Sequence, residues 1–332
     1  MRRLREQLLG AERFTPKIIH SIKKENLWNI WVPKKFGGLE KGFSEGLSIL
    51  QKLAKTDGSL GWTITLCSGA NYFIGNLQPK TAAEIFNSGE SICFGGSGAV
   101  CGIAEKEDND FRISGKWSYA TGSHYLSHFT LNARIVENNK TLKNEDGSEM
   151  VRSFVIPKEQ VKIINDWQTM GLKATITNSF EVKNQPVSGE YMFQYNTFYQ
   201  PQDIFRIPFS IFADLTLWVN YTGMASHFIE ESKNLGKGKF LKNLKELFKN
   251  QENIIMGISL EIEEKIGNAN KISEKRIREI HNTGAKSVHQ ISQELIAAYP
   301  NMGIQACSTG NQLNQIFLDF FTATQHHNFA RP

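Results

Sequence analysis

The stretch Ser114-Gly115-Lys116-Trp117-Ser118-Tyr119-Ala120-Thr121-Gly122-Ser123 combines features that suit a site for a flat ligand. A strand-like run, Phe111-Arg112-Ile113, leads into it, and aromatic, hydroxyl and glycine residues then follow closely. Together they can supply a stacking surface, hydrogen-bond donors and open backbone around one planar ligand. A β-hairpin with a buried tryptophan has the same local pattern, so both interpretations are open at this level.

The sequence around this stretch divides into three regions. Residues 1–89 have helical periodicity, and residues 90–192 contain short β-branched and aromatic runs between glycine, asparagine and aspartate turns. Residues 193–332 predict four long helices, at 204–233, 240–266, 273–299 and 311–329, with short connections. We therefore expect an α+β multidomain protein with an N-terminal helical domain (1–89), a middle β-sheet or barrel domain (90–192) and a C-terminal four-helix bundle (193–332).

Composition is ordinary for a soluble globular protein. Of 332 residues, 40% are hydrophobic and 21% charged, and the net charge is +5. Six lysines between 233 and 249 are better explained as a solvated helix face than as a nucleic-acid site. No apolar run approaches the roughly 20 residues of a membrane span, and the charged start does not resemble a signal peptide. The four cysteines lack metal-ligand spacing, so we expect a cytoplasmic protein with reduced thiols and no metal.

Four further motifs accompany the opening stretch in a fixed order. They are Trp31–Leu39 (WVPKKFGGL), Thr56–Trp62 (TDGSLGW), Asp166–Thr175 (DWQTMGLKAT), and Asn311–Asp319 followed by Ala323–His326 (NQLNQIFLD and ATQH). The set resembles the acyl-CoA dehydrogenase superfamily. It is most similar to the branch of two-component flavin monooxygenases, which includes p-hydroxyphenylacetate hydroxylase and dibenzothiophene monooxygenase.

The resemblance implies a flavin, FAD or FMN, bound between the β domain and the C-terminal helices. A separate reductase would supply it in reduced form. The residues that would contact it are Trp117, Ser118, Tyr119, Thr121 and Gly122 of the opening motif, with Trp167 and Thr175 from the later one. Thr121 would donate its hydroxyl, and Gly122 would let the backbone approach closely.

The same resemblance implies that His326 is the catalytic residue and that Asn71 lies on the substrate side. A neutral imidazole can deprotonate a phenol near pH 7. His327 is the neighbouring alternative, and helix geometry would point the two rings about 100° apart. The superfamily commonly forms tetramers through its helical bundle, so a homotetramer is expected.

The chain departs from the family pattern where cations are expected. An arginine before "QFG" that would hold the flavin pyrophosphate has no match, and residues 237–241 read KGKFL. Gln315 and Leu318 replace two arginines, and Tyr125 stands where a histidine is expected, with His124 one place early. Fewer cations mean fewer charge-assisted bonds to phosphate, so weak or transient flavin binding is expected.

The resemblance therefore predicts a flavin-dependent oxidoreductase, nearest the reduced-flavin monooxygenases that act on small organic substrates. One alternative is an acyl-CoA dehydrogenase that oxidises a CH–CH bond with FAD, although no carboxylate base is recognisable. The other is a non-catalytic homologue that has kept the fold and lost flavin chemistry.

Overall fold

The structure, a computed structural model, describes residues 2–195 and 197–329. Met1, Asn196 and residues 330–332 belong to the predicted first and third regions and lie outside the described residues. The α-helices of the described part are α1 (Arg2–Leu8), α2 (Pro16–Lys24), α3 (Phe43–Thr56), α4 (Gly58–Asn71), α5 (Pro79–Phe86), α6 (Phe209–Asn234), α7 (Lys242–Gly267), α8 (Glu274–Ala298) and α9 (Gln312–Ala323). None of these helices has the length and apolar content needed to cross a membrane.

One mixed sheet lies between the two helical regions in the chain. Its strands are β1 (Phe94–Glu107), β2 (Asp110–Ala120), β3 (His128–Glu137), β4 (Lys140–Thr141), β5 (Val151–Pro157), β6 (Lys162–Ile164), β7 (Asn178–Ser188) and β8 (Met192–Phe193). The order is β6-β7-β2-β1-β3-β5-β8, and β4 pairs with β3. Only β1 and β3 pair in parallel among the described strands. The path has two ends, so it is a sheet rather than a closed barrel in the described part of the chain.

Local signals explain where the helices begin. The Thr15 side chain accepts a hydrogen bond from the backbone of Ile18 at the start of α2, and Pro16 occupies the first helical position. Asp57 caps α4 in the same way, because its Oδ1 accepts from the Leu60 N–H at 2.8 Å. The aspartate of the TDGSLGW motif therefore sets the start of a helix.

The last helix is shorter than predicted. Periodicity predicted a helix to residue 329, but α9 ends at Ala323 with Thr324 as its C-cap. Of the residues that follow, His326, His327 and Asn328 are weak helix formers, which favours a helix end near Thr324. His326 and His327 therefore follow the helix, and the expected 100° separation along it does not apply.

Helix α6 connects the two helical regions. Most of its residues between 211 and 229 are buried, and it packs against α3 and α4 as well as against α7, α8 and α9. The N-terminal and C-terminal helices thus share one hydrophobic core, which continues into the sheet. The α+β class is confirmed; the division into three domains stays a prediction.

Candidate functional site

A bulge at the end of β2 shapes the opening motif. Trp117 faces the core, Ser118 is half-buried, and Tyr119 is 72% exposed with a φ of +68°. The β2–β7 register shifts between Trp117 and Ala120, as expected for a bulge. Positive φ at a non-glycine residue is strained and often marks a functional segment. The bulge places Tyr119 on the surface next to Ser118, whose Oγ accepts from Ser179 Oγ at 3.3 Å.

Trp117 occupies the sheet core and does not reach the surface. It is fully buried, stacks on Phe180 with ring centroids 5.3 Å apart, and donates from Nε1 to Asn132 O at 3.0 Å. A Cβ on Gly102 would collide with the Trp117 ring, so the glycine makes room for it. Trp117 is thus the buried tryptophan of the β-hairpin alternative. The geometry does not support its predicted contact with a flavin ring.

The segment after β2 is joined to the loop before β7. Gly122 N–H donates to Thr175 O at 2.8 Å, and Ser123 Oγ donates to Ile176 O at 2.7 Å. Gly122 has a φ of +74°, and a Cβ there would lie 3.0 Å from Cys67 Sγ on α4. This glycine therefore permits close packing against a helix, which is a different reason from the ligand approach expected from the sequence.

Three threonine hydroxyls form a buried chain beneath this junction. Thr175 Oγ1 donates to Leu172 O at 2.7 Å, which uses its one hydrogen. Thr177 must then donate to Thr175 at 2.7 Å, and Thr121 must donate to Thr177 at 3.1 Å. The Thr121 hydrogen that the resemblance assigned to flavin is therefore engaged within the protein, and the Thr175 hydroxyl is engaged as well.

Trp167 is held at the surface by the same loop. Its backbone N–H donates to Asn178 Oδ1 at 2.9 Å and its Nε1 to Leu172 O at 3.0 Å. Its ring meets the Tyr119 ring edge-on, with centroids 6.4 Å apart. Leu172 and Ile176 both have positive φ, and Ile176 is β-branched, so this loop stores backbone strain. The result is a rigid, partly exposed aromatic wall.

This wall borders a cavity of about 820 Å³. The lining residues are Glu12, Arg13, His124, Tyr125, Asn165, Trp167, Gln168, Thr169, Lys173, Ile176 and Asn178. The volume lies within the roughly 300–1,000 Å³ of small-molecule sites, and the aromatic wall with amide donors and cations suits a flat anionic ligand. Sequence reasoning found Trp167 but missed Arg13 and Lys173, because no local pattern indicates that residues 13 and 173 meet.

His326 is not among those lining residues and lies next to α4. Its ring packs edge-on against Trp62, with centroids 5.5 Å apart. Burial, with a smaller contribution from His327, lowers the pKa of His326 to about 4. The imidazole is therefore neutral at pH 7. Its Nδ1 accepts a 3.4 Å hydrogen bond from the Asn328 N–H, which places the ring hydrogen on Nε2.

Asn71 is a structural residue in this fold. It is fully buried, and its Nδ2 donates to Asn29 Oδ1 and Ile92 O, while its Oδ1 accepts from the Phe94 N–H at 2.6 Å. These bonds tie the end of α4 to the start of β1. They leave no side-chain hydrogen for a substrate, so the predicted substrate contact is not supported by the geometry.

A buried carboxylate pair holds α9 against the motif loop. Asp319 Oδ1 accepts from the Leu172 N–H at 2.5 Å, and Gln315 donates to Asp57 Oδ2 at 2.6 Å. Burial raises the pKa of Asp57 to about 6, and burial with the nearby Asp57 raises the pKa of Asp319 well above its usual range. Gln315, where the family pattern has arginine, brings no positive charge to offset burial, so both carboxyl groups keep their raised pKa values.

The chain is similar in sequence to several monooxygenases. It is 29% identical over 227 residues to an indole-3-acetate monooxygenase of Acinetobacter baumannii, a match covering 67% of this chain and 56% of that protein. It is 24% identical over 169 residues to the oxygenase component of an FADH2-dependent resorcinol hydroxylase of Rhizobium sp., covering 51% and 40%. The chain spans about half the length of the curated relatives it matches. No protein-family model matches it.

Solved structures share the fold over nearly the whole chain. The 3-HSA hydroxylase of Rhodococcus superimposes with a TM-score of 0.88 at 15% identity, covering 98% of this chain and 88% of that one. XiaF of Streptomyces, in complex with FADH2 and glycerol, gives 0.84 at 16% identity, covering 96% and 85%. These matches confirm the resemblance read from the five motifs. The chain is therefore similar in sequence to oxygenase components of flavin-dependent monooxygenases, and it shares the fold of solved monooxygenases.

Proposed function

We propose that this chain is the oxygenase component of a reduced-flavin monooxygenase that acts on a small organic substrate. The observation that carries the proposal is the convergence of two separate motifs, at Tyr119–Gly122 and at Trp167–Thr175, beside one 820 Å³ cavity. FAD or FMN, delivered reduced by a separate reductase, would bind there. When bound, the flavin supplies the activation of molecular oxygen.

The residues present in the cavity fit such a group. Trp167 offers a partly exposed ring fixed by two hydrogen bonds, and the amides of Gln168 and Asn178 offer donors for a polar ring edge. Asn178 donates one of its two amide hydrogens to Ser123 Oγ, which leaves the other available. These contacts bind and orient a ring, and the strained loop keeps them in place.

We propose that His326 handles the substrate's proton. With its pKa lowered to about 4, the imidazole is neutral across the physiological range. The ring hydrogen on Nε2 makes it a hydrogen-bond donor to a substrate oxygen, and such a bond stabilises negative charge on that oxygen while the hydrogen stays on the imidazole. Trp62 packs against the ring and restricts its orientation.

The quaternary state that we propose is a homotetramer in the cytoplasm, with each chain divided into the three domains expected from its sequence. Exposed apolar side chains on the C-terminal helices support an interface there: Met256 (47%) and Leu260 (53%) lie one turn apart on α7, and Ile296 (56%) lies on α8. The four cysteines are free thiols, which suits a reducing compartment. Light scattering is expected to show a tetramer, and a mass of 37.6 kDa would contradict it.

The proposed function is tested by anaerobic titration of the whole chain with reduced FAD and reduced FMN. We expect saturable binding of at least one of them, followed by reaction with oxygen. Indole-3-acetate and resorcinol, the substrates named for two relatives, are the first trial substrates. Incorporation of ¹⁸O from ¹⁸O₂ into a product, detected by mass spectrometry, would support a monooxygenase. Failure to bind either reduced flavin would rule out both this function and the dehydrogenase alternative.

One observation favours a second candidate, a homologue that no longer turns over. Within the described residues, neither Thr121 nor His326 lines the cavity, and the Thr121 hydrogen is engaged by Thr177. A protein of this kind would give no oxygenated product with any trial substrate, although reduced flavin would still react with oxygen unaided. The ¹⁸O experiment separates the two candidates, because only the first predicts a labelled product.

A further inference from the structure

The Tyr125 hydroxyl connects two distant segments at the cavity. The backbone N–H of Phe14 donates to it at 2.8 Å, and it donates in turn to Ala174 O at 3.2 Å. The rings of Phe14 and Tyr125 also stack, with centroids 5.4 Å apart and planes 19° from parallel. Because Arg13 and Lys173 immediately precede the two bridged residues, one hydroxyl brings both cations to the same cavity.

The two cations are available for a ligand. Both side chains are exposed, and neither forms a salt bridge with another described residue. Glu12 is the only carboxylate among the described lining residues. The two positive charges of Arg13 and Lys173 therefore outnumber the negative charges, which favours binding of an anion. His124 also lines the cavity, and its Nε2 is bonded to Asn165 Oδ1 at 2.7 Å.

We propose that Arg13 and Lys173 bind a phosphoryl group, and that Tyr125 is the positioning residue that sets their separation. A guanidinium and an ammonium on one wall are a standard pair for phosphate oxygens, since both donate charge-assisted hydrogen bonds. The inference rests on the proposed function, because it takes the phosphoryl group to be the phosphate of the flavin nucleotide whose ring would lie on Trp167. It also accounts for the missing family arginine, because this subunit supplies the positive charge from its own residues 13 and 173.

The test compares reduced FMN, reduced riboflavin and inorganic pyrophosphate as ligands of the full chain. Riboflavin has the same ring as FMN without phosphate, and pyrophosphate has no ring. The variant is Arg13→Gln/Lys173→Gln. The control, Lys140→Gln/Lys143→Gln, makes the same charge change at two exposed positions after β3. Circular dichroism verifies that both variants are folded.

We expect the Arg13→Gln/Lys173→Gln variant to bind reduced FMN about 10- to 100-fold more weakly, because each lost hydrogen bond to a charged group removes a large part of the binding free energy. Its affinity for reduced riboflavin should stay within about twofold of the original protein, and the control variant should match the original for all ligands. Tyr125→Phe keeps the stacked ring and removes the bridge. It is expected to weaken FMN binding and leave riboflavin binding unchanged, a selective effect that loss of structure would not produce.

The outcomes separate this inference from the proposed function. Equal FMN affinity in the Arg13→Gln/Lys173→Gln variant and the original protein would overturn the inference and leave flavin binding intact. Pyrophosphate binding that needs Arg13 and Lys173, without binding of any flavin, would support the phosphoryl site and overturn the proposed function. Absence of binding by all three ligands would overturn both.

Discussion

Replacing His326 with alanine is expected to lower the rate of substrate oxygenation by about 10²-fold or more, the usual effect of losing a proton-handling side chain. The imidazole is half-buried against Trp62 and is neutral, because burial lowers its pKa to about 4. Alanine removes its Nε2 hydrogen and leaves the cavity around Trp167 unchanged. Steady-state product formation with saturating reduced flavin measures the effect, and the affinity for reduced flavin should not change.

The matched control is His327→Ala. His327 is exposed and its ring lies 4.6 Å from that of His326, so the control removes a neighbouring imidazole from the same turn. Its rate should stay within a few fold of the original. The pH dependence gives a second check: a group with a pKa of about 4 cannot produce an inflection near pH 6.5. An inflection there that disappears in His326→Ala, or an unchanged rate in that variant, would refute the assigned role.

Replacing Trp117 with alanine is expected to lower the free energy of unfolding by about 3 to 5 kcal/mol, the range for large aromatic side chains removed from a core. The residue is fully buried, stacked on Phe180 and bonded to Asn132 O. Its removal opens a cavity over Gly102 and leaves a buried carbonyl without its donor. Urea denaturation followed by circular dichroism measures the loss.

The Trp117→Phe variant separates structure from ligand binding. It keeps an aromatic ring next to Phe180 and loses the bond to Asn132 O, so we expect a smaller loss of about 1 to 2 kcal/mol. The folded variant should bind reduced flavin as the original does, since Trp117 does not reach the surface. Normal stability together with strongly weakened flavin binding would restore the ring contact that the sequence suggested.

Much of the fold could be predicted because its signals are local. Helical periodicity and caps such as Thr15 and Asp57 depend on residues a few positions apart, so the helical character predicted for residues 1–89 agrees with the observed helices α1 to α5. The end of α9 was wrong by six residues, because weak helix formers after Ala323 were counted as part of the apolar repeat.

The candidate site was only partly predictable. The two sequence motifs identified Trp167 and the segment around Thr121 and Gly122, which the structure does bring together. The motifs could not show which side of the sheet each residue faces. A single bulge at Tyr119 interrupts the two-residue alternation, so Trp117 enters the core while Tyr119 turns outward.

By itself, the sequence determined the class of fold, the resemblance to flavin monooxygenases and the two motifs that meet beside the cavity, because these depend on residue order and short-range spacing. Only the tertiary structure decided what the opening stretch does. Backbone strain at Tyr119 and the room made by Gly102 assign Trp117 to the core, and the Tyr125 hydroxyl brings Arg13 and Lys173 together across 160 residues of chain. Long-range hydrogen bonds of this kind leave no periodic trace in a sequence, which is why the cations that looked absent were found only in the folded chain.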